Sequence, residues 1–173
     1  MNTRLKVFLF CLACVAFIGL DRWTKLLAKE HLMYSQPKSY LHDTFILEYV
    51  ENTGAALSFG DNLPQPFSFW LLSILPLGVI ILLFVYVMRR VKEFSNFKLF
   101  CFAMIVAGGL GNIIDRIIYD RHVTDFMNLG IGDTFRTGIF NVADVCITAG
   151  VIGLFFVYLN TQKGLLKPDN VTD

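Results

Sequence analysis

The chain has 173 residues, 55% of them hydrophobic and 17% charged, with a formal net charge of +1. Soluble chains carry about a quarter charged residues, so this composition, with a mean hydropathy of +0.57, excludes an ordinary soluble domain and indicates an integral membrane protein. The near-zero charge, without a basic stripe interleaved with aromatics and without zinc-finger spacing, gives no ground for a nucleic-acid partner.

The first apolar run, 7–20, follows Arg4 and Lys6 in the manner of a signal peptide. No small-x-small site closes it, and it is shorter than the ~20 residues a bilayer-crossing helix needs. It passes instead into Asp21, Arg22 and Lys25, so the expected first element is an uncleaved span over 5–28. Asp21 and Lys25 lie four apart on that helix, where they share a face and pair.

The connection 30–66 is too long for a turn. Its stretch 39–50 is rich in aromatic and β-branched residues, which predicts short strands within 39–62. Asn52-Thr53-Gly54 and Gly60-Asp61-Asn62 supply turn chemistry. Span two, 67–88, carries no charge, and Pro76 sits where it would kink the helix. Span three, 97–118, holds Ala103, Ala107, Gly108, Gly109 and Gly111, small residues suited to close helix contact. The connection 119–138 has an apolar face of Val123, Phe126 and Met127 and is expected to dip into the membrane interface. Span four, 139–159, carries Asp144 near its start.

Arg and Lys place the ends. Arg4 and Lys6, then Arg89, Arg90, Lys92 and Lys98, then Lys163 and Lys167 mark three segments as cytoplasmic. Both termini are therefore expected inside, and Asp21, Asp115, Asp125 and Asp144 near the outer face. The expected fold is an all-α polytopic membrane protein, one domain over 1–173, with four transmembrane helices, a small extracytoplasmic β-sheet and an interfacial loop or helix.

An ionisable residue inside a span costs about 2.5–3.5 kcal/mol and marks function by default. Here such residues are Asp21, Lys25, Asp115, Arg116 and Asp144, joined by the amides Asn112 and Asn141. Asn112, Asp115 and Arg116 form one polar stripe on span three, and Asn141, Asp144 and Thr148 another on span four. Asp115 and Arg116, adjacent and opposite in charge, read as a structural pair neutralising a helix end. Asp144 has no adjacent cation. Two carboxylates held close share one proton, so one can take a proton from water while the other donates to a scissile carbonyl. That chemistry hydrolyses a peptide without metal or covalent nucleophile. The residues alone leave Asp120, Asp125 and Asp133 open as the partner of Asp144.

Other sets are weaker. His31, His42 and His122 form no H-E-x-x-H or dense ligand cluster, so neither a metal nor another cofactor is expected. Ser58 with Lys25 outlines a Ser/Lys peptidase. Cys146 lies on a different helical face from Asp144, and Cys11, Cys14 and Cys101 also sit in apolar runs, as small hydrophobes. Buried acids would also serve a small proton or ion carrier, although no repeated halves are visible, or glue helices in a non-catalytic assembly subunit.

Five motifs then occur in order: Asp21-x-x-Thr24-Lys25, Asn52-x-Gly54-Ala55-Ala56-x-Ser58, Gly108-x-x-Gly111-Asn112-x-x-Asp115-Arg116, Val123-x-Asp125-Phe126 and Phe140-Asn141-x-Ala143-Asp144. Together, over about 15–155, they resemble the lipoprotein signal peptidases (signal peptidase II). The resemblance implies a bacterial inner-membrane aspartic endopeptidase that cuts before the diacylglyceryl-modified cysteine of prolipoproteins. It assigns Asp125 and Asp144 as the catalytic dyad. It also implies that Asn112 and Asn141 line the site, that Arg116 contacts substrate or inhibitor, and that Asp21, Lys25, Asn52 and Gly54 support the site or contact substrate. Asp115 is structural. Sensitivity to globomycin is implied, with membrane lipids as surroundings and a monomer as the simplest state. Departures from the pattern are Arg22 where Gln is common, Leu57 for Phe, Gly109 for Ala, and a connection from Asp115 to Asp125 one residue longer, without the usual Gly near Arg121.

Overall fold

The structure is a computed structural model, and it describes residues 2–54, 64, 66–131 and 135–165. Helix α1 (Thr3–Leu32) is followed by strands β1 (Lys38–Tyr40) and β2 (Phe45–Asn52). Helix α2 (Phe67–Arg90) contains a π-helical turn over Trp70–Ile74, just before Pro76. Helix α3 (Asn96–Ile118) leads through β3 (Val123–Ile131) and β4 (Phe135–Arg136) to α4 (Val142–Leu165). All four helices are long and apolar enough to cross a membrane.

Their burial is uneven, and that fixes the arrangement. Half of the apolar window of α3 is buried, against 11% in α1 and 22% in each of the others. Helix α3 is the central post, packed on α1, α2 and α4. Small residues allow this: a Cβ added at Gly150 would lie 2.7 Å from the Cys101 carbonyl oxygen, closer than real contacts permit. Outward side chains such as Phe8, Val15 and Leu82 are exposed. Water would penalise such a surface and hydrocarbon does not.

The strands form a four-stranded antiparallel sheet in the order β1-β2-β3-β4. The label all-α is therefore too narrow. The strands expected in 39–62 are present as β1 and β2 up to Asn52; positions 55–63, including Ser58 and the Gly60-Asp61-Asn62 turn, lie outside the described residues. The connection 119–138 departs from the expected interfacial loop or helix. Its core is the nine-residue strand β3, paired along β2 from Phe45↔Leu129 to Asn52↔Val123.

The apolar face read from Val123, Phe126 and Met127 was split by the wrong period. In a strand, alternate residues face opposite ways. Phe126 packs on Ala28 and Leu32 of α1, while Val123, Asp125 and Leu129 turn toward a cavity on the other side. Two non-glycine residues with positive φ, Asp120 (46°) and Arg121 (75°), make the tight reversal that returns the chain from α3 into β3.

Candidate active site

Backbone pairing brings the two candidate aspartates toward one place. Phe140, one residue before Asn141, bridges to Met127, two residues after Asp125. Met127 N donates to Phe140 O at 2.9 Å, and Phe140 N donates back to Met127 O at 2.8 Å. The start of α4 is thereby fastened beside β3. Asn141 and Asp144 cap the helix reciprocally: Asp144 N donates to Asn141 Oδ1 (3.1 Å), and Asn141 N donates to Asp144 Oδ2 (3.1 Å). This has the form of a capping box, which fixes both side chains at the helix start.

Three amides join the carboxylates. The Asn141 Nδ2 group donates to Asp125 Oδ1 at 2.6 Å and to Asn112 Oδ1 at 3.0 Å. Asn112 Nδ2 donates to Asp144 Oδ1 at 2.8 Å, and Asn52 Nδ2 to Asp125 Oδ2 at 3.0 Å. Asn141 is fully buried and Asn112 nearly so, which makes these bonds costly to leave unmade. Among the described residues, neither Asp125 nor Asp144 enters an ion pair.

Both carboxylates line a cavity of about 680 Å³, with Asn52, Asn112 and Arg116 beside them. Its longer wall is apolar and follows α4 through Val145, Ala149 and Ile152. Burial pushes the Asp125 carboxyl up from its ordinary 3.8 to about 6. The Asp144 charge adds to this, whereas hydrogen bonds from Asn52 and Asn141 and the Lys25 charge oppose it.

Asp21, Lys25 and Asp115 stand behind the cavity, all at most 3% exposed. Lys25 Nζ lies 2.9 Å from Asp21 Oδ2, as the four-residue spacing predicts, and 2.8 Å from Asp115 Oδ2. It also donates to Asn112 Oδ1 at 3.0 Å, which ties this cluster to the amide that holds Asp144. Asp21 Oδ1 accepts from Ala143 N at 2.9 Å and so anchors the first turn of α4 from α1. Gly111 leaves room for that carboxylate, since a Cβ there would meet Asp21 Oδ2 at 2.6 Å.

The single polar stripe expected on α3 divides. Asn112 and Arg116 reach the cavity, and Asp115 faces α1. Asp115 does not neutralise Arg116, because consecutive helical residues do not face each other. It pairs instead with Lys25 and Arg22, while Arg116 Nη2 donates to Gly54 O at 2.8 Å. Gly54 N in turn donates to Asn52 Oδ1 at 2.9 Å, which leaves the Asn52 amide nitrogen for Asp125. Arg22 escaped sequence reasoning. A second cation within one turn of Lys25 was its visible signal. The guanidinium also donates to Tyr119 Oη at 3.2 Å and stacks over that ring.

Of the open partners for Asp144, Asp120 is exposed in the reversal and Asp133 lies outside the described residues. Among the described residues, no group of three or more His, Cys, Asp or Glu gathers as metal ligands would.

The family model described as signal peptidase (SPase) II matches residues 13–160. A lipoprotein signal peptidase of Streptococcus agalactiae serotype V is 36% identical, with 81% of this chain and 84% of the relative covered. One from Streptococcus thermophilus is 32% identical, over 88% and 93%. One from Enterococcus faecalis is 30% identical over 99% of both chains. Among solved structures, a bacterial membrane enzyme determined by the in meso method at 2.3 Å superposes with a TM-score of 0.77 at 25% identity, covering 96% of each chain. A multi-pass arrangement of four apolar helices with that match has one reading: the chain belongs to the signal peptidase II family of membrane peptidases.

Proposed function

We propose that this protein is an intramembrane aspartic endopeptidase, with Asp125 and Asp144 as its catalytic pair. It removes signal peptides from diacylglyceryl-modified prolipoproteins by cutting before the lipidated cysteine. The observation that carries the reading is a contrast in partners. Asp21 and Asp115 are ion-paired, whereas Asp125 and Asp144 are held by amides and open on one largely apolar cavity.

Buried in its strand, Asp125 holds a proton to higher pH than an ordinary carboxyl and is the general acid. Asp144, fixed by the Asn112 amide and the Asn141 backbone N–H, is the general base. Water attacks the scissile carbonyl carbon and gives one proton to Asp144, while Asp125 protonates the carbonyl oxygen. Collapse of the gem-diol breaks the C–N bond, and the leaving amine takes a proton from the pair. The apolar α4 wall takes the hydrocarbon parts of the substrate, which arrives laterally from the bilayer.

The whole chain, 1–173, acts as one peptidase unit in a bacterial inner membrane. Both termini lie in the cytoplasm and the sheet with its cavity at the extracytoplasmic face, a reading that the Lys and Arg distribution supports. Asn52, Gly54, Asn112, Arg116, Asn141, Asp21 and Lys25 support the pair or contact substrate, and Asp115 is structural. Globomycin inhibits by filling the same cavity, and a monomer suffices.

The test is a gel-shift assay of purified protein in detergent with a verified diacylglyceryl-modified prolipoprotein, run beside Asp144→Asn. Cleavage by the wild type alone is the expected result. Equal turnover by the variant removes the dyad. No turnover by a folded wild type removes the peptidase reading, and a proton-flux assay in liposomes would then test the carrier. Inhibition by a chelator that zinc reverses would bring back metal chemistry.

A further inference from the structure

At the end of the bundle away from the sheet, a second cavity of about 180 Å³ lies between α1 and α3. Two contacts bound it. Lys6 Nζ donates to Phe94 O at 2.6 Å and to Lys92 O at 3.3 Å, and two turns along, Cys14 Sγ meets Ala103 O at 3.8 Å. Between them lies the cavity, with the small Ala13 side chain in its lining. Leu9, Ala13 and Phe100 make an apolar floor, and Lys6 and Asn96 form the polar end. Leu9 and Phe100 remain 42% and 47% exposed, so the floor opens to the outside of the bundle.

The polar end is cationic beyond Lys6. Arg4 lies one turn or less from Lys6, and Arg89, Arg90, Lys92 and Lys98 fall in the α2–α3 connection or at its edges, where the sole acid, Glu93, is paired with Arg90 at 2.9 Å. The polar end also meets the start of α3, where Ser95 caps Lys98 N and the backbone N–H groups of Asn96 and Phe97 belong to the unpaired first turn. An apolar slot opening to hydrocarbon, closed at its water end by a lysine, an amide and a helix N-terminus, matches one amphiphile: an acyl chain below a phosphate. Basic pockets between transmembrane helices take anionic lipid headgroups for this reason.

We propose that this groove binds one anionic phospholipid, its phosphate at Lys6 and Asn96 and an acyl chain along Leu9, Ala13 and Phe100. A zwitterionic phospholipid presents the same phosphate, but its choline cation is repelled by the surrounding Arg and Lys side chains, so it is held less tightly. The site is remote from Asp125 and Asp144 and is independent of their assignment.

Native mass spectrometry of the full chain, released from micelles doped with equal phosphatidylglycerol and phosphatidylcholine, tests it. The expected result is one retained phosphatidylglycerol per chain, at least about fivefold over phosphatidylcholine. Lys6→Gln should bring that ratio close to one. Leu9→Trp at the exposed rim and Ala13→Phe at the floor should each remove the retained lipid, with unchanged helical content by circular dichroism. Excess inorganic phosphate should leave it in place. Equal retention of both lipids, retention unchanged in both filled variants, or displacement by phosphate would overturn the proposal.

Discussion

Four aspartates sit within one end of this bundle, and they divide into two pairs with opposite surroundings. Asp21 and Asp115 meet Lys25 and Arg22 in a closed cluster that is neutral by formal charge and lies beneath the surface. Asp125 and Asp144 meet Asn52, Asn112 and Asn141 and face a cavity. An ion pair holds a carboxylate in place by fixing its charge. An amide holds it in place and leaves the charge free to change, because the same N–H can donate to either protonation state's remaining lone pair. The first pair therefore suits construction and the second suits proton transfer. Lys25 joins them through Asn112, so the rigid pair sets the position of the adjustable one.

Breaking the second pair should have the largest effect on turnover and a small one on folding. Asp125→Asn and Asp144→Asn each keep the side-chain volume, and each should abolish cleavage in the gel-shift assay while the helical circular dichroism spectrum is unchanged. Loss of helical signal in either variant would assign it to the structural class. Breaking the first pair should do the reverse. Asp115→Ala leaves the buried Lys25 with Asp21 as its one remaining carboxylate among the described residues and takes the carboxylate from the half-buried Arg22, and losing one partner of a buried pair costs up to about 3–5 kcal/mol. The expected readout is a much lower midpoint of denaturant unfolding in detergent. A midpoint equal to wild type would show that the cluster carries no structural load.

Much of this division was legible in the chain, for physical reasons that differ by residue. The last three helices follow from apolar length, the first from an apolar run continued through Asp21 and Lys25, and the pairing of those two from helical spacing. Asp144 stood out because an unpaired acid near the start of an apolar helix is expensive. Asp125 was not legible from physics, since Asp120 and Asp133 share its connection; only the motif resemblance singled it out. What places it is long-range pairing, β3 against β2 and Met127 against Phe140, and no local pattern encodes such a register. The same reason hid β3 itself, where Val123, Phe126 and Met127 suggested one face and the strand period put Phe126 opposite Val123. Arg22 was missed because its partner, Asp115, had a closer cation in sequence that helical geometry turns away.

Asn52 sharpens the comparison through pH. Asp125 has a folded value of about 6 against an ordinary 3.8, so the folded state binds the proton more tightly. Its contribution to stability is fully present below 3.8 and is lost as pH rises through about 6. Unfolding midpoints measured across that window should fall with rising pH, and Asp125→Asn should flatten this part of the curve. Asn52 donates to the carboxylate and pulls the value down. Asn52→Ala should therefore move the falling limb to higher pH. An unchanged limb would mean that the Asn52 contact does not govern the Asp125 proton.

The smallest effect is expected at Asp120, and it is diagnostic for that reason. Asp120 shares the α3–β3 connection with Asp125 and lies five residues away, yet it is exposed in a left-handed turn with φ 46°. Asn tolerates that conformation as well as Asp does, so Asp120→Asn isolates the loss of one carboxylate from any backbone strain. Cleavage should match wild type, and the unfolding midpoint should stay within about 0.5 kcal/mol of it, as for surface substitutions generally. A variant as inactive as Asp125→Asn would place the working acid at the reversal instead of in the strand. The two substitutions together ask whether activity follows the acid held by amides or merely the nearest acid in the chain.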